Sequence, residues 1–178
     1  AGLSVGEDGG SHQSLEDVAL MRELPGMTVF SPCDASETYK AVKAAIDIQG
    51  PVYIRLTRPG TDDVTDEATP FVPGKAVVLR EGTDAAIFAT GLMVTRALKA
   101  AELLSAEGIS AAVVNFHTIK PLDEECVLSY NSKVRAIVTA EDHFVTGGLG
   151  SAVAEVIAGK PGAGFARVGV EDRFGQSG

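Results

Sequence analysis

From residue 76 to residue 170, short apolar runs alternate with amphipathic stretches of helical length. Strands are expected over 76–79, 85–89, 110–116, 134–140 and 165–170, and helices over 92–107, 122–128 and 147–158. In the longest helix Val94, Leu98, Ala101 and Leu104 make one core-facing stripe, and Gly108 is suited to end it. Strands that are apolar along their whole length are covered on both faces, and strands joined through helices run parallel. The pattern therefore predicts an α/β unit with a mostly parallel sheet.

Residues 1–75 read as a second α/β unit. An apolar run at 1–5 is expected to be a strand feeding a turn-rich loop, Gly6-Glu7-Asp8-Gly9-Gly10-Ser11-His12-Gln13. Ser14 is a natural N-cap for a helix over 15–24, with Asp17 in its first turn and Pro25-Gly26 as its stop. A buried strand over 27–30 follows, then a helix over 35–48 capped by Asp34 or Ser36, then a strand over 52–57 with Arg58 at its C-terminal end. If that strand continues far enough, its period of two points Arg55 away from the side of Arg58. Residues 59–75, rich in proline, glycine and acidic side chains, read as a linker. The alternative is an ordered strap packed through Phe71 and Val72. These features divide the chain into 1–60, a linker at 61–75, and 76–178.

Open α/β sheets bind ligands outside the carboxyl ends of their strands, and right-handed crossovers bring those ends to one rim. Asp8, His12 and Arg58 all fall on such a rim. A carboxylate accepts from hydroxyls, an imidazole accepts or donates a proton near neutral pH, and a guanidinium binds phosphate bidentately. The plainer reading of the loop is turn punctuation. Gly147-Gly148-Leu149-Gly150 opens a helix, but Val153 occupies the last glycine position of a dinucleotide fingerprint, so close packing accounts for it better than phosphate binding. Glu141, Asp142 and His143 follow a strand on what reads as a loop and suit a structural or subunit-contact role. His117 reads as a capping or core-edge histidine. Nucleophile-elbow, Walker and zincin motifs are absent from the sequence.

A net charge of −9 argues against binding to a nucleic-acid backbone, which needs a basic face. Cys33 and Cys126 are the only cysteines and have neither a disulfide framework nor zinc spacing. No apolar run reaches the roughly 20 residues of a membrane span. A cytoplasmic protein with no membrane partner is expected. The chain opens on an apolar run without Met and closes on loop-like residues, as a piece of something larger would.

GEDGGSHQSLEDVALMRELPGMTVFSPCDASETYKAV and PVYIRLTRPG resemble the pyrimidine-binding domain of transketolase. ATGLMVTRALKAAELL, TIKPLDEE, AEDH and GGLGSAVAEV are similar to its C-terminal domain, so the resemblance covers nearly the whole chain. It implies a partial thiamine pyrimidine-binding domain followed by a transketolase C-terminal-like domain. For the complete enzyme it implies transfer of a two-carbon ketol unit between sugar phosphates with thiamine diphosphate and magnesium. The cofactor-activating glutamate and the diphosphate site would lie outside this chain, which would hold neither cofactor nor metal alone. His12 becomes a catalytic, substrate-contacting residue, Asp8 a contact to substrate hydroxyls, and Arg58 the holder of the sugar phosphate. Gly10 departs from the family pattern, where Pro or Ala is common. Implied partners are an N-terminal transketolase section or subunit and further copies of the chain. The alternatives are a 1-deoxyxylulose-5-phosphate synthase fragment and a noncatalytic assembly module.

Overall fold

The computed structural model describes residues 1–176. The elements in chain order are a 3-10 turn Leu3–Val5, α1 Gly10–Gln13, α2 Asp17–Glu23, β1 Thr28–Phe30, α3 Ala35–Asp47, β2 Val52–Ile54, β3 Val77–Arg80, β4 Ala85–Ala89, α4 Met93–Ala106, β5 Ala111–Asn115, β6 Thr118–Lys120, α5 Glu124–Lys133, β7 Ala136–Phe144, α6 Leu149–Ile157 and β8 Gly164–Val170. The architecture is α/β, as the alternation predicts.

The larger sheet has the order β3-β5-β4-β7-β8. Its β5, β4, β7 and β8 strands are parallel neighbours, and β3 lies antiparallel on the β5 edge. Parallel strands need crossovers, and here the helices cover both faces. On one face α4 packs Val94, Ala97 and Ala101 against Ile87, Ala89 and Val113. On the other, Val127 and Tyr130 of α5 and Leu149 and Val153 of α6 meet Ala86, Phe88, Val114 and Ile137. Successive residues of β4 thus serve two cores, which is why every position in AAIFA is apolar.

The smaller sheet has the order β2-β1-β6. β1 and β2 are parallel, pairing Thr28 with Val52 and Phe30 with Ile54, while β6 is antiparallel to β1. β6 comes from the second half of the chain, immediately after β5, and carries Ile119 into a small core with Val18 and Val29. Ser31 N donates to His117 O at 2.8 Å and Gly91 N to Ser31 O at 3.1 Å, so backbone hydrogen bonds run directly between the two halves.

Residues 59–75 contain no strand or helix but are pinned along their length. The Asp34 carboxylate caps α3 through Glu37 N at 2.8 Å, which selects Asp34 over Ser36. The same group accepts from Val64 N, Thr65 N and Thr65 Oγ1 at 2.9, 2.6 and 2.8 Å. Burial opposes its charge, but these hydrogen bonds outweigh that and hold the carboxyl below the usual range. Lys40 Nζ donates to Thr69 O at 2.6 Å, and the Phe71 ring stacks on His117 at 4.1 Å between centroids.

Several boundaries differ from the sequence expectation. Residues 1–5 do not form a strand: the turn Leu3–Val5 lies between Gly2 at φ 91° and Gly6 at φ 83°, values closed to an extended L-residue. α2 begins at Asp17 rather than residue 15, because Ser14 is left-handed at φ 49° and closes α1 instead of capping α2. β2 stops at Ile54, α5 runs on to Lys133, and β7 continues through Glu141, Asp142 and His143, placing them on a strand rather than a loop.

His117 is fully buried, shares a hydrogen bond of 3.0 Å with Thr118 Oγ1, and has no partner at Nε2 among the described residues. Burial pushes its pKa down from 6.5 to about 4. Between these two values the unfolded chain binds more protons, so the stability His117 confers is complete above pH 6.5 and lost as the pH falls towards 4. The expected loss is about 3 kcal/mol. Burial pushes the Glu37 and Glu141 carboxyls up, which acts in the opposite sense, so the measurement is a difference. The stability of wild type minus that of His117→Gln should fall by this amount between pH 7 and pH 4. A difference independent of pH would mean that His117 is not held neutral.

Candidate functional site

The loop before α2 brings two of the three expected rim residues together. Arg58, beyond the C-terminal end of β2, forms an ion pair with Asp8 through Nη1 and lies 3.5 Å from Val5 O. Both side chains are exposed, at 61% and 38%. An exposed pair of this kind contributes only about 0–1 kcal/mol, so a charged ligand can displace it at little cost. His12 sits on the single turn α1, exposed, with Nδ1 at 3.0 Å from Ser11 Oγ. Gly10 opens that turn, and a Cβ there would stand 2.6 Å from Gly175 O. Glycine at this position thus leaves room for the backbone of residue 175.

Arg55, three residues before Arg58, lies in a wholly different setting. It is 5% exposed and pairs with the buried Asp17, Nε lying 3.1 and 3.0 Å from Oδ1 and Oδ2. Its Nη2 donates to Ser14 O at 3.3 Å and Asp142 O at 2.9 Å. Tyr53 Oη donates to Asp17 Oδ2 at 2.7 Å, and His143 Nε2 stands 4.0 Å from Asp17 Oδ1. Burial, and then the bond to Asp17, push the Tyr53 hydroxyl up to about 12. A charge within the apolar run VYIRL was the available signal for this hub, since such a residue is buried only when paired.

The glycine-rich start of α6 finds its anion inside the protein. Glu141, 2% exposed, accepts from Leu149 N at 2.7 Å and Gly150 N at 2.8 Å, satisfying the first amides of the helix. A Cβ on Gly148 would overlap the Glu141 carboxylate. The glycines therefore permit helix and strand to approach each other, and the place of a phosphate is taken by a side chain.

The model of the transketolase pyrimidine-binding domain matches residues 1–62, and that of the transketolase C-terminal domain matches residues 74–178. The chain belongs to the transketolase family. It is 48% identical over 177 residues to the 6-deoxy-6-sulfo-D-fructose transketolase subunit SqwH of Clostridium sp. (strain MSTE9), covering 99% of this chain and 55% of that protein. It is 39% identical over 178 residues to a 1-deoxy-D-xylulose-5-phosphate synthase of Pelotomaculum thermopropionicum, covering 98% and 28% respectively. A solved split-gene transketolase, described as an inactive β4 tetramer, is similar with a TM-score of 0.88 and 50% identity, over 92% of this chain and 55% of that one. This transketolase-family chain thus spans about half the length of its subunit-type relatives. Among the described residues no group of three or more His, Cys, Asp or Glu side chains is arranged to hold a metal ion.

Proposed function

We propose that this chain is the C-terminal section of a thiamine diphosphate-dependent transketolase, with residues 1–60 completing a pyrimidine-binding domain, 61–75 linking, and 76–178 forming the C-terminal domain. The observation that carries the reading is the weak Asp8–Arg58 ion pair beyond the end of β2, on the loop that also carries His12. A substrate phosphate or sulfonate would take the guanidinium, releasing Asp8 to accept from sugar hydroxyls. His12 would donate to an oxygen gaining negative charge. The carbanion chemistry belongs to thiamine diphosphate, held with magnesium by an N-terminal partner. Homo-oligomers of the paired sections in the cytoplasm complete the proposal, and two free cysteines, with burial pushing both thiols up, suit a reducing compartment.

The test is reconstitution with the N-terminal section, thiamine diphosphate and magnesium. Ketol transfer is expected only in the assembly, and calorimetric titration of the chain alone should show weak or no cofactor binding. Micromolar binding by the chain alone would mean that the cofactor site had been misplaced. In the assembly, Asp8→Ala should change the ratio of rates for epimeric acceptors by roughly five-fold or more, and His12→Ala should lower turnover by roughly 10- to 150-fold, the loss of one hydrogen bond to a charged oxygen, with cofactor affinity nearly unchanged. An unchanged epimer ratio in Asp8→Ala would reject its role. The similarity to 1-deoxy-D-xylulose-5-phosphate synthases gives the second reading, and product identity separates the two. A full-length assembly with no activity towards either product would leave an assembly module.

A further inference from the structure

The loop that carries Asp8 and His12 is tied at both ends to the last residues of β7. Gly2 N donates to Gln13 O at 2.5 Å and closes the loop on itself. Leu3 N donates to Asp142 Oδ1 at 3.0 Å, on the entry side. On the exit side Phe144 N donates to Leu15 O at 2.9 Å, and Ala19 N lies 3.3 Å from His143 Nε2. Gly2 packs so closely on the Asp142 carboxylate that a Cβ would overlap it. Successive strand residues face opposite ways, so Glu141 and His143 turn into the core while Asp142 faces the loop.

We propose that Asp142, in the C-terminal domain, is a positioning residue of the substrate site: its carboxylate fixes the entry of the loop and thereby sets where Asp8 and His12 stand. This deepens the ketol-transfer reading and rests on it. Asp142 acts through the Leu3 amide and the backbone between Leu3 and His12. Only Oδ1 is engaged, since Oδ2 has no partner among the described residues. An asparagine can keep the one bond that matters, whereas an alanine cannot. Arg58 follows β2 on a separate segment and touches the loop only through its exposed pair with Asp8 and at Val5 O, so its own backbone is not set by the Leu3–Asp142 bond.

The experiment uses the enzyme assembled with its N-terminal partner, thiamine diphosphate and magnesium. Asp142→Ala should lower kcat by roughly 5- to 100-fold, the range from losing one hydrogen bond to misplacing a contact by about 1 Å, while KM for a phosphorylated donor changes less than about two-fold. Asp142→Asn should restore kcat to within about two-fold. Hydrogen-exchange mass spectrometry on the same assemblies should show residues 1–14 exchanging faster in Asp142→Ala and at the wild-type rate in Asp142→Asn. Equal losses in the two variants, a loss that merely tracks the folded fraction, or unaltered exchange in Asp142→Ala would overturn the proposal. If wild type transfers no ketol unit from any donor, the ketol-transfer reading fails, and the exchange comparison still decides whether Asp142 positions the loop.

Discussion

Arg55→Ala should lower the melting temperature by about 6–20 °C, the largest effect expected from any single side chain here. The substitution would leave Asp17, 8% exposed, with Tyr53 as its remaining hydrogen-bond partner, and would strip the donor from Ser14 O and Asp142 O. Removing one member of a buried ion pair typically costs about 3–5 kcal/mol, because the remaining charge is desolvated without compensation. In a chain of this size each kcal/mol shifts the midpoint by about 2–4 °C, which gives the range stated. Arg55→Lys should recover only part of the loss, since a single ammonium cannot reach Asp17, Ser14 and Asp142 in the planar fork geometry. Asp17→Asn combined with Arg55→Met should be less harmful than the two single losses added together, because neither charge then remains buried alone. Thermal melts of Arg55→Ala, Arg55→Lys, Asp17→Asn, Arg55→Met and the double variant make the comparison. A drop of under about 2 °C in Arg55→Ala would show that the pair is not shielded from water as the structure has it.

Arg58→Ala, three residues further on, should do the reverse: leave the midpoint within about 2 °C of wild type and weaken substrates that carry a terminal anion. Arg58 is mostly exposed and its pair with Asp8 contributes little to folding. A hydrogen bond to a charged group contributes about 1.5–3 kcal/mol, so kcat/KM for phosphorylated sugars in the complete enzyme should fall by roughly 10- to 150-fold. Sulfonated sugars should fall comparably, since a sulfonate offers the guanidinium the same array of oxygens, and uncharged sugars should hardly respond. Kinetics with matched charged and uncharged donors test this. A uniform loss across all donors would make Arg58 structural and remove the anion-binding role proposed for it.

The strength of the two expectations differs because burial differs, and burial is what the local sequence conveys least. In VYIRLTR both arginines look alike, and period-two alternation assigns them opposite faces. The alternation does not extend to either arginine, because β2 ends at Ile54 and the residues that follow are placed by tertiary partners rather than by a pleat. Asp17 shows the same limit. By spacing it belongs to the first turn of a helix as a favourable end charge, yet its carboxylate turns inward to Arg55 and Tyr53. Similarly, Glu141, Asp142 and His143 carry loop-like residue types, and β7 continues through them because Phe144 pairs with Val170 and because α2, α6 and the site loop each supply a partner for one of the three polar side chains.

The sequence by itself determined the α/β class and the alternation of elements from residue 76 onward. Those depend on local periodicity, and apolar runs such as AAIFA admit few other arrangements. The tertiary structure alone decided that β6 crosses to the first sheet, that residues 59–75 lie pinned by Asp34 and Phe71, and that Arg55 is buried while Arg58 is not. Each of those outcomes joins groups tens of residues apart in the chain. The free energy of a buried charge or a strand edge depends on which partner arrives, and that is set only once both sheets have formed.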